Sequence, residues 1–155
     1  MLMSDNPFRF YFPFRVRYAE TDAQGIVFNG NYLTYFDTAI YEYFRELGFD
    51  FAKNYQTASA DFHTVHIRTD FLAPAHFDDM IHAGIRTGKI GRSSLTFEIV
   101  IASENKDHIL VKGTVIWVYV DQESKKSVPL PQDLVNRIKR FENKTYASNR
   151  PSLPE

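Results

Sequence analysis

The chain has 155 residues, of which 44% are hydrophobic and 24% charged, with a formal net charge of -1 and no cysteine. This composition suits one globular domain and excludes a disordered chain, while the near-zero charge provides no basic field for nucleic acid. Without cysteine there is no disulfide framework, cysteine-ligated zinc or thiol nucleophile. Asp5 and Arg9 interrupt the apolar run that a signal peptide needs, and no apolar stretch is long enough to span a bilayer. We therefore predict a cytoplasmic protein with no membrane span and no nucleic-acid partner.

The N-terminal third of the chain predicts a strand, a loop and one long helix. Apolar residues alternate with two arginines over residues 14–18, which is the period of a half-buried strand. After a loop, apolar residues recur at steps of three and four, which predicts a helix of about seventeen residues. Asn29 or Asn31 can cap its start, and Gly48 stands where a helix commonly ends. The buried stripe of this helix is Tyr32, Phe36, Ala39, Tyr43 and Leu47.

The rest of the chain predicts strands in succession. Four strands are expected over residues 62–72, 80–88, 94–103 and 109–121, separated by turn signals. Residues 111–120 are apolar on both faces, which predicts a central strand buried on both sides. A short amphipathic helix with Leu134, Ile138 and Phe141 follows. We expect one domain over residues 1–145 and a flexible tail over residues 146–155.

The order of the elements predicts an α+β fold. Successive strands joined by short turns favour an antiparallel sheet, and a curved sheet packed around the long helix would bury the aromatic stripe. A sheet with one helix leaves its other face exposed. Much of that face is apolar here, which suggests a partner subunit.

The loop before the long helix has the elements of an acyl-transfer site. Asp22 lies a few residues before a helix N-terminus, where backbone amides lack internal partners and the helix dipole favours negative charge. Such amides can stabilise an oxyanion, while a nearby carboxylate attacks a carbonyl carbon or deprotonates water. On local physics alone, however, an ordinary turn capped by Thr21 and Asp22 is the favoured interpretation.

The run YAETDAQGIVFNGNYLTYFDTA, residues 18–39, resembles the signature of the 4-hydroxybenzoyl-CoA thioesterase family of hotdog-fold proteins. Two later segments agree with this resemblance. DFLAPAHFDD at residues 70–79 is similar to a turn of the family, and GRSSL at residues 91–95 is similar to the start of its next strand. The similarity extends over roughly residues 14–141, nearly the whole predicted domain. In register with the signature are Glu20, Thr21, Asp22, Gly25, Ile26, Val27 and Tyr32.

The resemblance implies a hotdog fold, in which a curved antiparallel sheet wraps around one long central helix, and an acyl-CoA thioesterase activity. The substrate would be an acyl or aroyl ester of coenzyme A, with acyl carrier protein as another thiol, and no metal or cofactor would be needed. Asp22 would be the nucleophile or general base, and the amides near Phe28 and Asn29 would polarise the thioester carbonyl. The resemblance also implies a dimer or tetramer with its site between subunits. The implied substrate-binding residues are Gly25, Tyr32, Arg92, Ser93 and Ser94.

Two alternatives stay open, and one residue departs from the family. Many members have His or Tyr where this chain has Asn29, which donates a hydrogen bond but does not titrate. The alternatives are a hotdog enoyl-thioester hydratase or dehydratase, whose Asp–His motif we do not find, and a non-catalytic acyl-CoA-binding oligomer. A metal site is not expected, because His63 and His66 should point to opposite faces of a strand.

Overall fold

The computed structural model describes the backbone of residues 6–148 and the side chains up to residue 142. The chain up to residue 57 contains a strand, one turn of 3-10 helix and two α-helices, and the rest contains four strands and a final helix. None of the helices in the described part is long and apolar enough to cross a membrane. The elements are β1 (Phe10–Arg15), the 3-10 turn (Tyr18–Glu20), α1 (Asn31–Glu46), α2 (Phe51–Thr57), β2 (Ala60–Phe71), β3 (Met80–Ile90), β4 (Ser94–Ala102), β5 (Ile109–Asp121) and α3 (Gln132–Ser148).

The strands form one antiparallel sheet in the order β1-β3-β4-β5-β2. Helix α1 packs against one face of this sheet, where Phe44 stacks on Trp117 of β5 and meets Phe97 of β4 edge to face. Gly113 of β5 lies so close to Phe36 of α1 that an added Cβ would sit 2.5 Å from the ring. The predicted hotdog architecture is confirmed. The buried side chains of α1 are Tyr32, Tyr35, Phe36, Ala39, Ile40, Tyr43 and Phe44.

The first strand lies earlier in the chain than predicted. It covers Phe10–Arg15 instead of residues 14–18, and Arg15 pairs with Met80, the first residue of β3. Beyond Arg15 the pairing continues only at Val16, which exchanges backbone hydrogen bonds with Asp78 and Asp79 of the turn before β3. The chain then turns, and the Arg17 backbone amide donates to the Glu20 carboxylate at 2.8 Å. The prediction was wrong because alternation along a chain carries no information on where the neighbouring strand begins.

The ends of α1 differ in how well they were predicted. Gly48 has a φ of 75°, so the prediction of a glycine that ends the helix is confirmed. The predicted caps Asn29 and Asn31 are wrong, because the N-cap residue is Gly30 and no side chain caps the helix. A second helix, α2, was not predicted. Its first turn is capped by Asp50, whose carboxylate accepts a hydrogen bond from the Lys53 amide at 3.1 Å.

Three further expectations need correction. β5 is an interior strand between β4 and β2, as predicted, but it alternates between buried and half-buried residues, so the predicted burial on both sides is wrong and one face is only partly covered. A bulge at Thr64/His66 places both His63 and His66 opposite β5 residues of the same face, so these histidines do not point to opposite faces. Helix α3 continues to Ser148 and is longer than the short helix expected. The rest of the expected tail, residues 149–155, lies outside the described residues.

Candidate active site

The loop that carries Asp22 is closed by its own hydrogen bonds. The Asp22 amide donates to the Ile26 carbonyl, and the Gly25 amide donates to the Asp22 carbonyl, both at 2.9 Å. Gly25 adopts a φ of 75° at the turn, a conformation that favours glycine. The Asp22 carboxylate uses one oxygen, Oδ1, to accept a hydrogen bond from the Gln24 amide at 2.8 Å. Its other oxygen accepts from no described group, so the carboxylate is oriented while one oxygen stays available.

Between this loop and α1, two backbone amides find no acceptor among the residues that the structure describes. The Phe28 amide donates to the Glu20 carbonyl at 2.9 Å, so it is not available as the oxyanion donor expected from the sequence. The amides of Asn29 and Gly30 donate to no group among the described residues. Because they precede the first turn of α1, they also lie at the positive end of the helix dipole. Amides without a partner at a helix start are of the kind that can stabilise an oxyanion.

Asp22 and Asn29 line the same cavity, which has a volume of about 490 Å³. Its opposite wall is the end of β2 and the turn after it, where Phe71 contacts Tyr32 with ring centroids 5.6 Å apart. Burial raises the pKa of the Tyr32 phenol, so Tyr32 is neutral at physiological pH. The β2 wall is apolar, whereas the polar side chains lie on the side of Asp22 and α1, so the cavity combines an apolar surface with polar groups as small-molecule sites do. The cavity is lined by Asp22, Gln24, Ile26, Val27, Asn29, Tyr32, Phe71, Leu72, Ala73 and Pro74.

The turn that leads into β3 is joined to the Asp22 loop by backbone hydrogen bonds. The Val27 amide donates to the Ala75 carbonyl at 2.9 Å, and the Phe77 amide donates to the Gly25 carbonyl at 3.4 Å. Ile26 forms an isolated bridge with His76. The second family-like segment, residues 70–79, thus packs directly against the first one.

The third family-like segment, residues 91–95, lies far from the Asp22 cavity within one chain. Arg92, Ser93 and Ser94 follow the last residue of β3, whereas the Asp22 loop packs against the turn before its first residue. Eleven strand residues separate the two ends, which corresponds to about 33 Å. The Ser93 carbonyl accepts from the Tyr119 amide at 2.7 Å, which fixes the segment to the far end of β5. Within one chain, these residues do not join Asp22 in one site.

Within residues 6–142 no three His, Asp or Glu side chains come close enough to hold a metal ion. His63 Nε2 lies 3.1 Å from the amide nitrogen of Gln122, and His76 lies beside Asp79 at the surface. Two features of the site were not predicted from the sequence. One is the role of Phe71, Leu72 and Pro74 as a cavity wall, although the segment had been singled out by resemblance. The other is the contact of Asn31 with the Glu20 carbonyl at 2.7 Å.

Comparisons with known proteins agree with one another. The family model for the thioesterase superfamily matches residues 24–109. The chain is 30% identical over 132 residues to the acyl-CoA thioesterase YbgC of Haemophilus influenzae, which covers 85% of this chain and 94% of the relative. It is 27% identical over 122 residues to the 1,4-dihydroxy-2-naphthoyl-CoA hydrolase of Nostoc punctiforme, covering 77% and 80% of the two chains. The crystal structure of the PA5185 protein from Pseudomonas aeruginosa superposes with a TM-score of 0.76 at 26% identity, covering 96% of each chain.

Proposed function

The chain belongs to the thioesterase superfamily, and we propose that it is an acyl-CoA thioesterase whose reaction takes place at Asp22. It hydrolyses the thioester between coenzyme A, or acyl carrier protein, and an acyl or aroyl group. The relatives named above as an acyl-CoA thioesterase and a naphthoyl-CoA hydrolase support this class of substrate. The observation that carries the proposal is the cavity that Asp22 and Asn29 line together, next to a helix start where the amides of Asn29 and Gly30 donate to no described group.

The reaction follows from these groups. The free oxygen of Asp22 either attacks the thioester carbon or takes a proton from a water molecule that attacks it. Charge then develops on the thioester oxygen, where the two amides and the dipole of α1 stabilise it. Collapse of the tetrahedral species breaks the C–S bond and releases the thiolate. On the water route this gives the free acid, and protonated Asp22 or solvent returns a proton to the thiolate, because Asn29 does not titrate. On the nucleophilic route it leaves an anhydride between the acyl group and Asp22, which a water molecule then hydrolyses to the free acid and the Asp22 carboxylate, and the thiolate takes its proton from solvent.

A second copy of the chain completes this site. The edge strand β2 is twelve residues long and exposes Val65, Ile67 and Phe71. The other edge strand, β1, carries Pro13, which cannot donate to a ladder and so discourages pairing. A long edge strand with apolar side chains and no proline favours pairing with another strand. The occupant that fits best is β2 of a second copy, which extends the sheet across a two-fold axis.

Pairing of β2 with its own copy also explains the position of Arg92. The end of β2 at Phe71 lies at the Asp22 cavity, and its start at Ala60 pairs with Asp121, near the segment of residues 92–94. Antiparallel pairing sets the Phe71 end of one copy against the Ala60 end of the other. The partner's Arg92 and Ser93 are thereby brought toward Asp22, where a basic group and hydroxyls suit a phosphate-bearing thiol.

The test is thiol release from a panel of short, long and aromatic acyl-CoAs, followed with a thiol-reactive dye. We expect the wild-type protein to hydrolyse at least one of them and Asp22→Asn to lower kcat by orders of magnitude while the protein stays folded. Glu46→Gln, an exposed carboxylate at the end of α1, is the matched control and should keep full activity. Wild-type turnover in Asp22→Asn would contradict the mechanism. Hydration of an enoyl-CoA without thiol release would favour a hydratase, and binding without either reaction would favour a binding oligomer.

A further inference from the structure

The carbonyl of Glu20 accepts two hydrogen bonds, one from the first residue of α1 and one from the segment just before it. Asn31 Nδ2 donates to it at 2.7 Å and the Phe28 amide donates to it at 2.9 Å. Because a carbonyl oxygen only accepts hydrogen bonds, the Asn31 group that faces it must be the amide nitrogen. The contact is partly buried and joins residues eleven positions apart in the chain.

This contact joins the two halves of the proposed site. Glu20 is followed by Thr21, which forms a bridge with Val27. The closed loop that contains Asp22 begins at this bridge. Asn31 is the first residue of α1 and directly follows the unpaired amides of Asn29 and Gly30. A shift of Asn31 relative to Glu20 would therefore change the separation between the carboxylate and the oxyanion donors.

The side chain of Asn31 binds the Glu20 carbonyl and does not cap α1. Asparagine near a helix start commonly accepts a hydrogen bond from a free helical amide. Here α1 begins without any side-chain cap, and Asn31 faces the loop instead. The Glu20 side chain is anchored on the other side, where the Arg17 backbone amide and guanidinium both donate to it. Burial acts to raise the pKa of Glu20, but these hydrogen bonds outweigh it and the pKa is lowered.

We propose that Asn31 is a positioning residue, which holds the Asp22 loop at a fixed distance from the amides of Asn29 and Gly30. The proposal rests on the proposed function of those groups. Asn31 itself touches no reacting atom, so it acts on the rate of the chemical step and leaves the affinity for the thiol moiety unchanged. Misplacement of reacting groups by about 1 Å costs up to about hundredfold in rate.

The test compares Asn31→Asp and Asn31→Ala with the wild-type protein. Asn31→Asp keeps the shape of the side chain and favours the helix N-terminus by its charge, but it removes the donor to Glu20. Asn31→Ala removes the donor without adding a charge near Asp22. In both variants we expect kcat for the best acyl-CoA to fall about tenfold or more. KM should stay within about twofold, and the thermal unfolding midpoint of Asn31→Asp should be retained.

Asp50→Ala is the matched control for stability. It removes the carboxylate that accepts a hydrogen bond from the Lys53 amide at the start of α2, away from the cavity. It should lower the unfolding midpoint and leave kcat unchanged. Two results would overturn the positioning role while thioester hydrolysis stands. One is a wild-type kcat in both Asn31 variants, and the other is a loss of kcat in Asp50→Ala that matches its loss of stability in the same proportion as in the Asn31 variants. A wild-type protein that releases no thiol, or an active Asp22→Asn, overturns the proposed function and the positioning role together.

Discussion

Replacing Glu142 of α3 with alanine should destabilise the whole domain. The Glu142 carboxylate is only 7% exposed, and its Oε1 accepts hydrogen bonds from the Tyr43 hydroxyl at 2.6 Å and the Thr87 amide at 3.1 Å. The Thr87 hydroxyl lies 3.0 Å from the Tyr43 oxygen and donates to it, since the Tyr43 proton is engaged with Glu142. Thr87 lies at a bulge in the β3–β4 ladder. This one oxygen therefore joins α1, β3 and α3.

The magnitude follows from the two donors that lose their acceptor. Each buried donor left without a partner costs about 1–3 kcal/mol. Removal of a buried charge offsets part of this sum, so we expect Glu142→Ala to lower the free energy of unfolding by about 2–4 kcal/mol. For a chain of this size the unfolding midpoint should fall by about 5–15 °C. Urea unfolding followed by fluorescence and circular dichroism measures both the free energy and the cooperativity.

Two control variants separate this network from other effects. Glu142→Gln keeps an acceptor oxygen of nearly the same shape, so its cost should stay below about 1.5 kcal/mol. Lys139→Ala changes an exposed residue of the same helix and tests helix propensity alone, with an expected effect within about 0.5 kcal/mol. A loss below about 1 kcal/mol in Glu142→Ala would refute the reasoning, because two buried donors would then have found other acceptors at no cost.

Two further predictions concern alkaline pH and the sheet edge. Burial raises the pKa of Tyr43 and Tyr35 above that of tyrosine in the unfolded chain. The stability that these neutral phenols contribute should be fully present below the unfolded pKa of about 10 and should be lost as the pH rises further. Urea unfolding midpoints at pH 8 and pH 11 test this. The midpoint of Tyr43→Phe should fall less between the two pH values than that of the wild type, and equal wild-type midpoints would contradict the prediction. Val65→Lys places a charge at the middle of β2 and should convert a dimer to a monomer, as measured by sedimentation, whereas Tyr55→Lys on α2 should not. A monomeric wild type, or an unchanged mass for Val65→Lys, would contradict pairing through β2.

The helix and strands were predictable where a local pattern decides them. The stripe from Tyr32 to Leu47 has one period and one glycine stop, and β5 covers the predicted residues 109–121 without error. The start of β1 was not predictable, because it depends on where β3 begins. The bulge that brings His63 and His66 to one face depends equally on the register with β5. Such features are set by pairing between distant segments, which a single sequence does not show.

The candidate site was predictable in part for the same reason. Asp22, Gly25 and Tyr32 stand together in one short run, so a motif was enough to single them out. The engagement of the Phe28 amide by Glu20 and the contact of Asn31 with the same carbonyl depend on how the loop folds back. The catalytic role of Asp22, the role of Arg92, the cytoplasmic location and the dimer or tetramer stay predictions.

The strand order has a consequence for the synthesis of the chain on the ribosome. β2 leaves the ribosome before β3 and β4, yet its pairing partner in the sheet is β5, the last strand to be made. The hairpin of β3 and β4 can form as soon as it emerges, whereas β2 waits for almost forty residues with both of its edges unpaired. Its exposed apolar residues are then available to chaperones and to other nascent chains. Synthesis that stalls before residue 109 would leave this strand without its partner, and polysomes that translate the message closely packed would bring several such strands together.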